Sequence, residues 1–337
     1  MTKREAGGPA TIIDVAREAQ VSIKTVSRVV NAEPGVHEET LKRVKEAIER
    51  LQYRPKLSAR ALAGARSFIV GLFYFDEQSA FIGNLQRGAT QTCRELGYHL
   101  IVEPLQASAT DLVSHVERSL SALRPDGVIL APPLCDHAEV LQAMQRQGTR
   151  IVKLSPRELQ GSCIGIDDVQ AARELTQLLL DAGHQRIGFL QGPPDQIASQ
   201  RRQQGFSAAL RAARRKAAWV WPGDFTFQSG VAAARIWQDQ PNRPSAVFSA
   251  NDDMALGLMA EARRLGHQVP EALSVVGFDD APAASMVWPG LTTVRQPLED
   301  MAARAVHLLV GQNTQPCRIV MPHRLMLRQS VQERAEA

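Results

Sequence analysis

The sequence is poor in the features that mark secreted, membrane-embedded and metal-binding proteins. Its 337 residues include four cysteines, Cys93, Cys135, Cys163 and Cys317, which lie far apart and form no CxxC pair. This spacing favours reduced, buried thiols over disulfides or a metal site, and we expect no cofactor. No apolar run approaches the ~18 residues of a membrane span. The first ten residues, MTKREAGGPA, lack the apolar core of a signal peptide. The sequence therefore predicts a cytoplasmic protein with no membrane partner.

Motifs of the common enzyme classes are also missing. The chain contains no GxSxG, GxxxxGK[ST], HExxH or GxGxxG. Two pairs of adjacent acids occur, Asp252–Asp253 and Asp279–Asp280. Neighbouring residues do not present both carboxylates to one bond, as a glycosidase requires. We therefore expect no catalytic residues and a protein that is not an enzyme.

Positive charge is concentrated at the N-terminal end of the chain. Residues 1–66 hold 13 of the 39 Lys and Arg and 8 of the 35 Asp and Glu, a net charge of +5, whereas the remainder carries −1. Such asymmetry is typical of a small anion-binding head attached to a neutral body. A solvated basic tail would give the same balance, so the charge alone does not decide between the two.

Two short helical patterns lie close together in the run TIIDVAREAQVSIKTVSRVVN, separated by Gln20–Ser22. Thr11 and Ser22 are typical N-cap residues, and apolar residues follow each of them at helical spacing. A third amphipathic pattern, HEETLKRVKEAIERLQY, follows after a Pro-Gly loop. Three short helices can close one small core. The spacing predicts a helix-turn-helix, whose second helix fits the major groove of DNA.

The second helix of this head carries residues suited to contact with DNA. Arg28 and Lys24 can donate to guanine O6 and N7, and Ile23 can contact a thymine methyl group. The capped helix start at Ser22 offers free N–H groups to a phosphate. A solvated face on a helical hairpin is the alternative. The candidate DNA-binding residues are Ser22, Ile23, Lys24, Thr25, Ser27, Arg28, Asn31, Tyr53, Arg60 and Leu62.

A short segment from Pro55 to Gly64, PKLSARALAG, has room for about two helical turns. A helix this short is marginal alone in water, where ~12–15 residues are needed. We therefore expect it to fold with support from DNA or a second subunit. Leu62 would then be placed to wedge between base steps in the minor groove. An ordinary interdomain linker is the alternative.

These runs together resemble the DNA-binding head and hinge helix of the LacI/GalR (lactose-repressor) family. The likeness continues in order along nearly the whole chain, through GHQRIGFLQGP, RRQQGFSAAL, FSANDDMALGLM, LSVVGFDD and LTTVRQP. Proteins of this family are homodimeric transcription regulators that bind a small effector between two lobes. The resemblance therefore implies a homodimer that binds a pseudo-palindromic operator in double-stranded DNA.

From Ser67 onward, short apolar runs rich in β-branched and aromatic residues alternate with amphipathic stretches. The runs are FIVGLFYF, YHLIVE, GVILA, RIVKL, RIGFL, SAVFSA and LSVVGF. This alternation predicts an α/β body with parallel sheets, and its length favours two lobes over one. The expected fold is an all-α helix-turn-helix head and hinge helix, followed by a two-lobed α/β body like that of periplasmic binding proteins.

The resemblance also implies domain boundaries. Each lobe of the body is discontinuous in sequence, and the crossings between lobes form a hinge beneath a cleft. The implied segments are 1–54 for the helix-turn-helix domain, 55–66 for the hinge helix, 67–337 for the effector-binding and dimerisation domain, 67–165 with 296–322 for its first lobe, and 166–292 with 323–331 for its second.

Ligands of open parallel sheets bind beyond the carboxyl ends of the strands. Asn251 and Asp279 each follow an apolar run, whereas Asp252 and Asp280 are better suited to helix N-caps. Asp279 can accept hydrogen bonds from sugar hydroxyls, and Arg202 offers a rigid donor fork. With the family resemblance, the candidate effector-binding residues are Phe75, Phe81, Asp167, Ser199, Arg202, Phe225, Asn251 and Asp279.

The sequence thus predicts a sequence-specific DNA-binding transcription regulator, a repressor, controlled by a small effector in the cleft. The candidate phenylalanines favour a sugar or glycoside, while a purine, a nucleoside or a phosphorylated metabolite stays open. The rival class is a sugar-binding protein without a DNA target, against which the basic helical head argues. The C-terminal run RQSVQERAEA has no leucine heptads, so we expect no coiled-coil tetramer. The sequence does not decide whether the effector releases the protein from DNA or tightens its binding to DNA.

Overall fold

The computed structural model describes residues 10–30, 35–53, 66–75, 80–106, 111–313 and 315–334. The chain divides into two compact units, one formed by residues 1–69 with 123–126 and the other by the remainder. The first unit contains a three-helix head. Its helices are α1 (Ile12–Glu18), α2 (Ile23–Val30) and α3 (Glu38–Arg50).

The ends of the first two helices are fixed by local hydrogen bonds. Thr11 Oγ1 accepts from the backbone N–H of Asp14 at 3.4 Å, and Asp14 Oδ2 accepts from the N–H of Thr11 at 2.9 Å. Ser22 Oγ likewise accepts from the N–H of Thr25 at 3.1 Å, at the start of α2. Gln20, with φ of 54°, turns the chain between the two helices. Both N-caps expected from the sequence are confirmed.

The three helices share one small core. Val15, Val26 and Val44 are fully buried in it, one from each helix. Leu41 and Ile48 pack against this cluster from α3. Helices of 7 and 8 residues are too short to persist alone, so the core must hold α1 and α2 in place.

The first sheet of the body has six strands in the spatial order β11-β5-β4-β3-β1-β2. The strands are β1 (Ile69–Phe75), β2 (His99–Leu105), β3 (Gly127–Leu130), β4 (Ile151–Leu154), β5 (Ser162–Gly165) and β11 (Arg318–Val320). Its helices are α4 (Ala80–Glu95), α5 (Leu112–Leu123), α6 (Ala138–Arg146) and α12 (Leu298–Val310). The late helix α12 packs against α4 and β3. A Cβ on Gly88 would lie 2.1 Å from the Glu299 carbonyl oxygen, so glycine permits this close helix contact.

The second sheet has four parallel strands in the order β7-β6-β8-β9. The strands are β6 (Ile187–Gln191), β7 (Trp219–Pro222), β8 (Ala246–Ser249) and β9 (Ser274–Val276). Its helices are α7 (Asp168–Asp181), α8 (Ile197–Ala212), α9 (Phe227–Gln238), α10 (Asp252–Arg264) and α11 (Pro282–Met286). The rings of Phe189 and Phe206 stack with centroids 4.9 Å apart, and Phe248 meets Phe189 edge-on at 5.3 Å. This aromatic cluster forms part of the core beneath the second sheet.

A separate two-stranded ribbon lies where the chain passes between the sheets. It pairs β10 (Thr293–Arg295) with β12 (Arg324–Met326) in antiparallel register, with Val294 opposite Leu325. The chain thus leaves the first sheet after β5, returns after β10 and leaves again through β12. We call β10 and β12 the crossing ribbon.

The expected fold class is confirmed. Each of the seven apolar runs overlaps a strand, in β1 to β4, β6, β8 and β9. Five strands of three or four residues, β5, β7, β10, β11 and β12, were not anticipated. The lobe boundaries given above stay predictions. Within the described ranges, no helix combines the length and apolar character that crossing a membrane requires.

Candidate effector site and DNA-binding surface

Arg202 on α8 is the centre of a buried cluster of charges. Its Nε donates to Asp168 Oδ1 at 3.2 Å, and its Nη1 donates to the carbonyl of Ala250 at 2.6 Å. Its Nη2 lies 3.4 Å from Asp279 Oδ1. The guanidinium carbon lies 3.8 Å from the centroid of the Phe278 ring. The side chain is only 6% exposed, so two carboxylates offset its charge in a region with little solvent.

Asp279 has two polar contacts on one carboxylate oxygen. Gln296 Nε2 donates to Asp279 Oδ1 at 2.7 Å, and Arg202 Nη2 lies 3.4 Å from the same atom. Burial raises the pKa of Asp279 to about 6, although Arg202 and Gln296 stabilise its ionised form. The φ angles of Asp279 and Asp280 are 115° and 55°, which residues other than glycine rarely adopt. Strained backbone of this kind recurs at binding and catalytic sites.

Asn251 and Phe225 form a second pair beside Arg202. Asn251 Oδ1 caps α10 by accepting from the N–H of Met254 at 3.0 Å, and its Nδ2 donates to the carbonyl of Phe225 at 2.9 Å. The Phe225 ring packs over Gly192, directly after β6. A Cβ on Gly192 would lie 2.2 Å from Phe225 Cε1. The ring is therefore fixed at the carboxyl end of the second sheet.

The neighbouring acids Asp252 and Asp280 tie the site to the crossing ribbon. Asp252 is buried, with its carboxylate accepting from Thr293 Oγ1 at 2.6 Å and from the N–H of Ala281 at 2.7 Å. Burial, with Asp279 nearby, holds the pKa of Asp252 well above its usual range. Asp280 pairs with Arg295 and with Arg328. The expectation that Asp252 and Asp280 are helix N-caps is wrong, because Asn251 caps α10 and Asp280 is used in ion pairs.

Three serine hydroxyl groups are buried in the body. The side-chain oxygens of Ser155, Ser199 and Ser249 have no hydrogen-bond partner among the residues that the structure describes. Ser155 follows β4 and Ser249 ends β8, at the strand ends where ligands of parallel sheets bind. Ser199 lies three residues before Arg202 on α8 and therefore on the same face of that helix. Buried polar atoms are nearly always paired, so water or the polar groups of a ligand can complete these three hydroxyls.

The head presents a different kind of surface on α2. Ser22, Ile23 and Lys24 are exposed at its start, while Thr25, Ser27 and Arg28 are partly buried. Ile23 keeps 49% of its surface in solvent, so its side chain is accessible to a thymine methyl group. The helix carries Lys24 and Arg28 and no acid. This combination suits a helix that enters the major groove.

Comparison with known proteins identifies the family. Residues 11–56 match bacterial regulatory proteins of the lacI family, and residues 176–331 match a periplasmic binding protein-like domain. The chain is 34% identical to catabolite control protein A of Priestia megaterium over 95% of this chain and 98% of that protein. The chain belongs to the lacI family of bacterial regulatory proteins. It is a DNA-binding transcription regulator with an effector-binding body.

Two solved structures of regulators have the same architecture as this lacI-family chain. A complex of the transcriptional regulator CelR with cellobiose is 32% identical, with a TM-score of 0.71, and the match covers 95% of this chain and 99% of that one. The lac repressor dimer bound to operator and the anti-inducer ONPF is 27% identical, with a TM-score of 0.80, covering 96% and 100%.

The residues predicted to bind DNA fall into three groups in this lacI-family head. Six lie on or directly before α2, as described above, and their roles stay predictions. Asn31, Arg60 and Leu62, with most of the expected hinge helix, lie outside the described residues. Tyr53 is 8% exposed and packs in the head core. Burial also raises the pKa of its phenol. Its role in binding DNA stays a prediction.

The structure brings together four of the eight residues predicted to bind the effector. Arg202, Asp279, Asn251 and Phe225 are linked by the contacts above, and Ser199 shares the helix face of Arg202. Asp167, Phe75 and Phe81 have other contacts or positions, and their roles in binding the effector stay predictions. Asp167 caps α7, Phe75 ends β1 with its ring edge-on to His137, and Phe81 is partly buried in the first turn of α4.

Sequence reasoning missed Asp168, Gln296, Ser155 and Ser249. Asp168 is adjacent to Asp167, the acid that was chosen, and only the structure shows which of the two faces Arg202. Gln296 lies in the quoted run LTTVRQP, directly after the three-residue strand β10. Recognising β10 as a strand would have placed Gln296 at a strand end. Within the described ranges, no group of three His, Cys, Asp or Glu side chains is placed to hold a metal ion.

Proposed function

We propose that this chain is a homodimeric repressor whose binding to pseudo-palindromic operator DNA is controlled by a neutral sugar or glycoside. The effector binds around Arg202 and Asp279, with Phe225 against its apolar face. Lys24, Arg28 and Ile23 contact base edges, and Ser22 and Thr25 contact phosphates.

The charge of the buried cluster is the observation that carries the choice of effector. Arg202 is the cation of this cluster, and Asp168 and Asp279 both lie against it. A phosphorylated metabolite would need a buried cation that is not already offset, because desolvating its charge is costly. A neutral polyol does not have that requirement. Its hydroxyls can donate to Asp279 and accept from the Arg202 guanidinium.

Two further features support a carbohydrate. The three buried serine hydroxyls can each donate and accept, which matches the alternating character of sugar hydroxyls. The Phe225 ring offers an apolar surface at the same strand edge. In addition, the CelR structure that resembles this chain holds cellobiose.

The proposed homodimer has a candidate interface on the body. Met286, the last residue of α11, and Trp288, two residues later, are 80% and 71% exposed. Exposed large apolar side chains in a group mark interaction surfaces. The lac repressor structure that matches this chain is a dimer on operator. A single three-helix head buries little surface on DNA, so two heads on a two-fold operator are needed for tight binding.

The effector class is tested by thermal unfolding of the purified chain with a panel of D-ribose, D-glucose, cellobiose, hypoxanthine and glucose 6-phosphate. A ligand that binds only the folded state raises the melting temperature by mass action. We expect a rise with at least one of the three neutral sugars and none with the purine or the phosphate ester. A rise with hypoxanthine or glucose 6-phosphate alone would overturn the assignment to sugars.

The regulatory function is tested on DNA. An operator is first selected by the protein from a randomised duplex library, and its affinity is then measured by fluorescence anisotropy with and without the sugar. We expect a two-fold symmetric operator and a change in affinity of about 5- to 150-fold, the usual range of allosteric coupling. Selection of no sequence motif would contradict the proposal. Sedimentation of the wild type and Trp288→Ser tests the dimer, since the variant should dissociate more readily.

A further inference from the structure

Two arginines form hydrogen bonds between the loop that follows β4 of the first sheet and the segment around the start of α8, which follows β6 of the second sheet. Arg157 belongs to the loop 155–161, which follows β4 of the first sheet. Its Nη1 donates to Gln200 Oε1 at 3.0 Å, and its Nη2 donates to the carbonyl of Asp195 at 2.6 Å. Both acceptors lie at the start of α8 or just before it, in the part of the chain that follows β6 of the second sheet.

The return contact comes from Arg201 on α8. Its Nη2 donates to the carbonyls of Pro156 and Arg157, at 2.9 and 3.2 Å. Each side therefore supplies a guanidinium to acceptors on the other side. We call the four hydrogen bonds of Arg157 and Arg201 the arginine strap.

Both ends of the arginine strap are anchored in their own halves of the body. The N–H of Arg157 donates to Asp136 Oδ1 at 2.8 Å, close after β3. Lys153, a lysine only 9% exposed, donates from Nζ to the carbonyl of Glu158 at 3.1 Å. On the other side, Gln200 Nε2 donates to the carbonyl of Pro194 at 2.7 Å, which directs Oε1 toward Arg157. The loop is thus built to present the guanidinium rather than left without support.

The strap residues are neighbours in sequence of residues that we assign to the effector, in both elements. Ser155, with its unpaired buried hydroxyl, begins the loop, and Ser199, with another, precedes Gln200 on α8. Arg202 follows Arg201 on the same helix. A movement that separates loop 155–161 from α8 must therefore also move side chains that we assign to the effector.

The strap has the strength of a reversible contact. Arg157 and Gln200 are both exposed at the surface. A hydrogen bond of this kind changes an equilibrium by roughly two- to tenfold. Four together can favour a closed arrangement, yet each can break without exposing a buried charge.

We propose that the arginine strap holds the two halves of the body closed beside the effector site and slows release of the bound sugar. Loop 155–161 is then the segment that separates from α8 when the effector leaves. The identity of the ligand in this inference rests on the proposed function, whereas the closure itself does not.

Closure is tested without any ligand, by hydrogen–deuterium exchange of the wild type and Arg157→Ala. The strap joins both sides, so the variant should exchange faster in loop 155–161 and also in residues 193–200 of the other half. Arg146→Ala is the matched control, because Arg146 forms an exposed ion pair with Glu117 beside the first sheet. Faster exchange confined to loop 155–161, or equal changes in the control, would overturn the inference.

Release is tested by stopped flow with the sugar from the panel that stabilises the wild type. Arg157→Ala should release it about three- to tenfold faster, and Arg157→Ala/Arg201→Ala faster still. The release rate of Arg157→Lys should lie between those of the wild type and Arg157→Ala, because a single ammonium group replaces a guanidinium that donates to two acceptors. Release within twofold of wild type in the double variant would refute the strap as a gate. If no sugar binds the wild type, the proposed function fails, and the exchange experiment still decides the closure.

Discussion

Replacing Arg202 with alanine should destabilise the body strongly, because the side chain stands between two buried acids. The change removes donors to Asp168 Oδ1 at 3.2 Å and to the Ala250 carbonyl at 2.6 Å, and a contact with Asp279 at 3.4 Å. Asp168 is 2% exposed, so its carboxylate cannot turn to solvent. Removing one partner from a buried ion pair costs ~3–5 kcal/mol. For a domain of this size ~1 kcal/mol shifts the melting temperature by about 2–4 °C, so we expect a fall of about 10 °C.

The destabilisation should depend on pH in a defined direction. Burial already raises the pKa of Asp279 to about 6 in the presence of Arg202. Without the guanidinium the pKa of Asp279 must rise further. In the variant, Asp279 is therefore protonated as the pH falls, and the variant is less destabilised relative to the wild type than it is at high pH. The difference in melting temperature between wild type and Arg202→Ala should therefore shrink from about pH 8 to about pH 6. Asp168→Asn added to Arg202→Ala should recover part of the loss at the higher pH.

Differential scanning calorimetry measures both effects, with Arg146→Ala as the control. Arg146 pairs with Glu117 at the surface, where such pairs contribute ~0–1 kcal/mol. If Arg202→Ala melted within about 2 °C of that control at pH 8, the buried cluster would not be ionised as described. Below its melting transition the variant should bind operator nearly as the wild type does and should lose the response to sugar. A full response would place the effector elsewhere.

Three other changes test the remaining parts of the site. Lys24→Ala should cost ~1–3 kcal/mol on the selected operator and little on random DNA, by fluorescence anisotropy. Equal losses on both would reassign Lys24 to phosphate contact. Sugar affinity should fall about tenfold from about pH 7.5 to about pH 5, because Asp279, with a pKa of about 6, is ionised above that value and cannot accept two hydroxyls once protonated. Calorimetric titration of Asp279→Asn should show no such slope. Gly192→Ala should displace the Phe225 ring and weaken sugar binding about tenfold with operator affinity unchanged, and unaltered sugar affinity would remove Phe225 from the site.

The fold was predictable wherever elements were long or strongly patterned. The head followed from two N-caps and apolar spacing, and seven strands followed from β-branched runs. The strands that escaped detection are three or four residues long and carry residues such as the prolines and arginines of WVWP and RLM. Strands this short form because their neighbours supply the hydrogen bonds, so the sequence within them has no period to read.

The residue types of the site could be predicted from the sequence, whereas the contacts between its side chains were harder to predict. Arg202 and Asp279 are residue types that recognise sugars, and both fall after strands or on the helix that follows one. Which acid pairs with Arg202 depends on how α7 meets α8, and no pattern distinguishes Asp168 from Asp167 before that packing exists. The burial of Tyr53 has the same origin, since α3 brings it against the head core only after the helices meet.

The two adjacent acids Asp279 and Asp280 suggest how an effector at this site reaches the rest of the body. Asp279 faces Arg202 and Gln296, whereas Asp280 pairs with Arg295 and Arg328, which lie on β10 and just beyond β12. Both residues have positive φ angles, and their consecutive side chains contact different partners. The two acids therefore connect the Arg202 cluster to β10 and to the residue just beyond β12, at the place where the chain passes between the sheets. We expect a sugar that moves Asp279 to move Asp280 and its two arginine partners with it, because the two acids are consecutive in the chain.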